Sequence, residues 1–335
     1  MKTMKKAEQS KVMWNKYKPF IWAAAAVVIY IVIMLLDGFD MLSRHQKSLL
    51  IPILVNVILA VSLNLTTGFL GELTLGHAGF MSVGAYAGCL LSLSLDIPEP
   101  FRIIICLVFG GLVAAVFGLI IGVPVLRLKG DYLAIVTLAF GEIIRSVIVN
   151  LEFTGGAAGL KGIPRSTTFT IAFLCAAITI VVIRNLVYSR QGLAIRSIRD
   201  NRIAAESIGM PVSKYKVLAF VIAAFFAGVA GVLYGQNLGH LSPSDFDYNK
   251  SIEILVIVVL GGMGSLTGSV ISAIVITVLP EVLRGADDYR MLLYAVVLIV
   301  MMILNASPKA QEMKANLAAR FRRRKPDGVP GGKEE

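Results

Sequence analysis

Charge is scarce in this chain. Asp, Glu, Lys and Arg make up 16% of its 335 residues, against 56% hydrophobic. A soluble domain carries about 25% charged residues, so composition alone excludes an ordinary water-soluble protein. Histidine and cysteine are sparse, three of each. Cys89, Cys106 and Cys175 all fall inside apolar stretches and lack metal-type spacing. They read as small buried apolar residues, with no disulfide, redox or metal role. A Gly-x-x-x-x-Gly-Lys-[Ser/Thr] phosphate loop is missing, Gly331-Gly-Lys333-Glu in the tail lacking that pattern, and no nucleophile–base signature occurs. No enzymatic activity and no cofactor are expected, and any energy from nucleotide must come from another chain.

What the sequence has in quantity is apolar runs, with a mean hydropathy of +0.77. Windows of spanning length recur at 19–36, 48–66, 78–95, 102–126, 131–151, 169–187, 215–238, 251–263, 267–284 and 290–305. The expected fold is all-α, a polytopic integral membrane protein of about ten transmembrane helices. The count drops to about eight if the short window 251–263, ending in Gly261-Gly-Met-Gly264, belongs to a half-helix or re-entrant segment.

The net charge of +11 is concentrated at the two ends and in one internal loop, as in the basic cytoplasmic segments of membrane proteins rather than a nucleic-acid binder. The lysine-rich start precedes an apolar run long enough to span, followed by Asp37-Gly-Phe-Asp40 in place of a small-residue cleavage site. An uncleaved first helix is therefore predicted. Ten crossings put Arg127-Leu-Lys129, the loop 190–216 and the tail 309–325 on one side with the N-terminus, the cytoplasm. The organisation expected is a cytoplasmic segment 1–18, a transmembrane domain 19–305 with a cytoplasmic loop 189–214, and a disordered basic tail 306–335 held near anionic headgroups.

Four features carry chemistry. The stretch Gly68-Phe-Leu-Gly71-Glu72-Leu-Thr-Leu-Gly76-His77 lies between two spans. Either it is a broken segment beside a polar path, or it is a short loop whose glycines allow close helix packing. It aligns faintly with Gly261-Gly262-Met-Gly264-Ser-Leu-Thr267, sharing both outer glycines, Leu and Thr, a pointer to a duplicated broken element. Glu142 and Arg145 stand at i, i+3 near the middle of the fifth span, where they can neutralise each other or meet a substrate.

In the basic loop, Asp200 or Asn201 can cap a short helix running from Arg202 and stopped by Gly209 and Pro211. Its small Ala204 and Ala205 beside Glu206 are expected to be exposed, suited to a groove on another protein or to the membrane surface. The loops 154–164 and 239–248 fall on the opposite side and can form a docking surface or simply connect helices.

Three blocks resemble permease subunits of bacterial ABC importers for branched-chain amino acids, the LivM type. They are residues 67–86; Asp131-Tyr-Leu-Ala to Glu142-Ile-Ile-Arg145 with Thr154-Gly-Gly and Gly159-Leu; and residues 192–209 continuing to Ser242-Pro and 251–268. Together they cover most of residues 50–305. The family commonly has Gln where this chain has Glu72. It carries a loose Glu-Ala-Ala…Gly pattern in the coupling loop, whereas here Glu206 follows the alanines.

The resemblance implies the ABC importer permease fold, located in the bacterial inner membrane as a multi-pass protein with both termini cytoplasmic. It implies that Arg202, Ala204, Ala205, Glu206 and Gly209 belong to the coupling helix that sits on an ATPase. Implied partners are a second permease, two ATP-binding cassette subunits, an extracytoplasmic binding protein and the lipid bilayer, with no nucleic acid. Gly68, Gly71, Glu72, Gly76, His77, Glu142, Arg145, Gly261, Gly262 and Gly264 become candidates for pathway or packing. The substrate expected is Leu, Ile or Val, with a sugar, urea or amide permease, or an ion-coupled secondary transporter using Glu72, His77, Glu142 and Arg145, as the rivals. A non-transporting membrane scaffold fits the broken segments and buried charges less well.

Overall fold

The computed structural model describes residues 43–128 and 130–282, together with Val28, 30–35, 295, 296 and 299. The segment 1–18, the tail 306–335 and the tenth expected span lie outside the described residues or reach them at single positions. Two compact units divide the chain after Val278, and the contacts below belong to the first.

The elements follow the apolar windows closely. Helix α1 (Arg44–Asn64) opens where the Ser43 backbone N–H donates to Gln46 Oε1 at 3.0 Å. It runs on into a π-helical turn, Leu65–Leu70, which Gly71 ends with φ 80. After an extended stretch come α2 (His77–Ser94), α3 (Glu99–Val125), α4 (Asp131–Asn150) and α5 (Phe169–Val187). Two shorter helices, α6 (Arg190–Asp200) and α7 (Arg202–Ser207), precede α8 (Val212–Leu238), α9 (Tyr248–Gly261) and α10 (Leu266–Val282). Each expected span between 48 and 284 is thus one helix.

Among the described residues, Gln46–Leu70, α3, α4, α5 and α8 are long and apolar enough to cross a membrane. α2 has 18 residues, α9 has 14 and α10 has 17. At 1.5 Å per residue α9 is roughly 21 Å long, less than the roughly 30 Å of a hydrocarbon core. The short eighth window is a short helix, with α10 returning from its glycine turn.

The core is α2, α3 and α8, which meet through small residues. A Cβ on Gly84 would lie 2.2 Å from Gly228 Cα, and one on Gly231 would lie 2.1 Å from Met81 O. Only glycine lets these backbones approach so closely, the membrane substitute for a hydrophobic driving force. α1 lies against α8 and α5, and both α1 and α8 are mostly buried. α3 and α5 turn apolar faces outward, through Ile104, Leu112, Ile120, Leu174 and Val181.

At one end of the bundle the two loops flanking α5 and α8 join. β1 (Leu160–Lys161) pairs antiparallel with β2 (His240–Leu241), Leu160 opposite Leu241. At the other end lie α6, α7, the π turn and the α9–α10 turn.

Candidate functional site: the α6–α7 end and the broken elements

Local caps fix the α6–α7 hairpin. Ser189 Oγ accepts from Gly192 N–H at 3.3 Å, and Asn201 Oδ1 accepts from Ala204 N–H at 3.0 Å. Asn201, rather than Asp200, is therefore the cap of α7. Gly209, φ 80, closes the turn, and Pro211 stands at the N-cap of α8. On α7, Arg202 Nε donates to Glu206 Oε1 at 2.8 Å.

The expected exposed alanine pair is only half right. Ala204 is exposed, but Ala205 is buried at 3%. Six helical residues make under two turns, so one face must pack inward, and Ala205 is on that face. The outward surface instead carries Ile203 and Ile208, 76% and 74% exposed.

α6 is tied to the membrane elements through Arg199. Its Nη1 donates to the Gly68 carbonyl, 2.9 Å away in the π turn. Gly68 in turn abuts Gly264, where an added Cβ would fall 2.3 Å from Gly264 N and 1.7 Å from Asn64 Oδ1. Asn64 holds the junction: its Oδ1 accepts from Gly264 N–H at 2.8 Å, and its Nδ2 donates to Ser265 O at 3.1 Å and Ser269 Oγ at 2.8 Å. The two glycine blocks that align faintly in sequence are therefore in contact. Gly71 rests against the Arg199 stem, while Gly261 packs on Gly268 and Gly262 makes the turn at φ 89. An open cavity of about 460 Å³ is lined here by Thr67, Gly68, Gly71, Leu73, Arg199 and Met263.

Glu72 and His77 are both committed to structure. Glu72 accepts a salt-bridging hydrogen bond from Lys216 Nζ, a lysine on α8 that is 2% exposed. A buried ammonium needs such a partner. His77 is buried, with its Nε2 2.8 Å from Ser62 Oγ. Gly76 lies against the Thr137 carbonyl, and Thr137 Oγ1 accepts from Leu75 N–H at 3.0 Å, so the extended segment's backbone is paired to α4. Glu142 and Arg145 bond each other at 2.8 Å on α4, each about one-third exposed.

Sequence reasoning missed a second charged pair. Lys250 Nζ, in the first turn of α9, donates to Glu253 Oε2 at 3.0 Å and to Asn56 Oδ1 at 3.3 Å, and Asn56 Nδ2 donates to Thr277 Oγ1 at 2.9 Å. The i, i+3 spacing of Lys250 and Glu253 was the available signal. The start of α9 also meets the start of α2, since Ser251 Oγ accepts from Ala78 N–H at 3.2 Å.

Apolar spanning helices, glycine-packed backbones and two broken elements that touch define a multi-pass helical membrane protein, with a short helix presented at one end. Residues 47–304 match the family described as branched-chain amino acid transport system, permease component. The high-affinity branched-chain amino acid transport system permease protein LivM of Salmonella typhimurium is 35% identical over 298 residues, 78% of this chain and 69% of the relative; LivM of Escherichia coli K12 matches equally. LivH of S. typhimurium is 29% identical over 144 residues, 42% of this chain and 45% of that protein. The fructose import permease protein FruG of Bifidobacterium longum is 24% identical over 303 residues, 83% and 87%. No solved structure is significantly similar. The chain belongs to the branched-chain amino acid permease component family. It is a transport subunit rather than an enzyme.

Proposed function

We propose that this chain is one of two permease subunits of an ATP-driven importer that moves leucine, isoleucine or valine inward by alternating access. α7 faces the cytoplasm and docks on an ATPase subunit, and the β1–β2 end receives an extracytoplasmic binding protein. The observation that carries this reading is the continuous link from α7 to the transmembrane helices. α7 presents Ile203 and Ile208 outward, follows α6 directly, and α6 holds the Gly68 carbonyl through Arg199. Gly68 touches Gly264, so a push on α7 reaches the ends of α1, α9 and α10 together.

ATP binding must favour one arrangement of this junction over another, because a ligand with equal affinity for both states shifts nothing. Glu72 and His77, paired to Lys216 and Ser62, hold helices together instead of relaying protons, which weighs against an ion-coupled mechanism. Similarity to LivM favours branched-chain amino acids over the sugar named for the more distant FruG.

Tagged purification from the native membrane tests the assembly. A second permease and ATPase subunits should co-purify, and vesicles holding the complex with its binding protein should take up leucine only with ATP. A lone chain that transports without ATP would overturn the proposal.

A further inference from the structure

The Lys250–Glu253 pair has an unusual position. Its partner Asn56 lies near the midpoint of the 25-residue span Gln46–Leu70, so the pair sits at membrane depth. The side chains are not sealed in the core: Lys250 is 19% exposed and Glu253 is 37% exposed. A part-exposed carboxylate at that depth is poorly compatible with lipid and belongs against water or protein. The outward faces of α3 and α5, bearing Ile120 and Leu174, show the apolar alternative.

We infer that Lys250 and Glu253 form a zwitterion-binding station on the transport path, where the carboxylate of an α-amino acid meets Lys250 and its ammonium meets Glu253. The inference rests on the importer reading above. The groups are matched in kind. Lys250 donates to Glu253 and to Asn56, and an incoming carboxylate takes the place of Glu253 as its charged acceptor while the Asn56 bond holds the ammonium in position. Thr277 fixes the Asn56 amide so that its oxygen keeps facing Lys250.

An amino acid replaces the Lys–Glu bridge with two new charge-assisted bonds, and the site is neutral both empty and filled. A sugar or urea separates the pair without supplying either charge, so the station favours zwitterions. Because filling the site opens an existing bridge, binding stays weak enough for release, as a conduit requires.

The test uses the whole transporter with its binding protein in vesicles, measuring leucine uptake and binding-protein-stimulated ATP hydrolysis. Glu253→Gln and Lys250→Met should each lower uptake about tenfold or more, the loss expected for a charged hydrogen bond, while the subunits still co-purify and stimulated hydrolysis persists. Uptake within about twofold of wild type would overturn the station. So would a joint loss of uptake, stimulated hydrolysis and subunit association, which marks a merely structural pair. The wild-type control separates the two levels: wild type without leucine uptake defeats the importer reading itself, whereas active wild type with unimpaired variants defeats only the station.

Discussion

The two sides of the helix bundle are held by different forces. On the α2–α3–α8 side, backbones touch through Gly84, Gly228 and Gly231, with no polar bond needed. On the side made by α1, α9 and α10, Asn56, Asn64, Lys250 and Arg199 join the helices by side-chain hydrogen bonds. Close packing has few alternative arrangements, because separating the backbones forfeits every contact at once. A hydrogen-bonded junction can exchange one partner for another at small net cost. On the proposed importer reading, the first side is the scaffold and the second, which Arg199 of α6 joins at Gly68, is the moving part.

The largest effect is expected at the pin between the two sides, Glu72 on the broken segment and Lys216 on α8. Glu72→Ala leaves a buried ammonium without its partner and should destabilise the subunit by about 3–5 kcal/mol, read as a lower unfolding temperature in detergent. Glu72→Leu combined with Lys216→Met should recover most of that loss. Next comes the scaffold: Gly84→Val forces a side chain into the Gly228 backbone and should cost about 1–3 kcal/mol or more in the same assay.

On the moving side, Asn64→Ala removes the acceptor of Gly264 N–H and should cost about 1–3 kcal/mol, with transport falling further than stability does. Ile203→Glu changes only exposed surface. Its stability should stay within about 0.5 kcal/mol of wild type while ATPase co-purification is lost. A scaffold variant that uncoupled transport without destabilising the protein would blur the contrast; an Asn64 variant that did so would sharpen it.

Periodic features were legible in the sequence. Apolar windows located eight described helices, because the bilayer demands long uninterrupted runs. Gly209 and Pro211 marked the end of the short helix, since caps are local chemistry. The i, i+3 rule anticipated the Glu142–Arg145 pair.

What could not be read was long-range pairing. Glu72 meets a lysine 144 residues away, and Arg199 meets a carbonyl 131 residues away. No spacing rule encodes such partners. Ala205 was misjudged because a six-residue helix is too short for periodicity to tell its inner face from its outer one. The two glycine stretches that align faintly in sequence meet at one junction around Asn64 and Arg199, a contact their alignment does not encode.

The most direct test of the account is the number of ATP molecules hydrolysed per leucine imported by the reconstituted transporter carrying Arg199→Met. The account predicts a sharp rise in that ratio, with hydrolysis continuing and uptake falling, because the ATPase still docks on α7 while its motion no longer reaches Gly68 and Gly264. An unchanged ratio, whether both rates hold or both fall together, would contradict it.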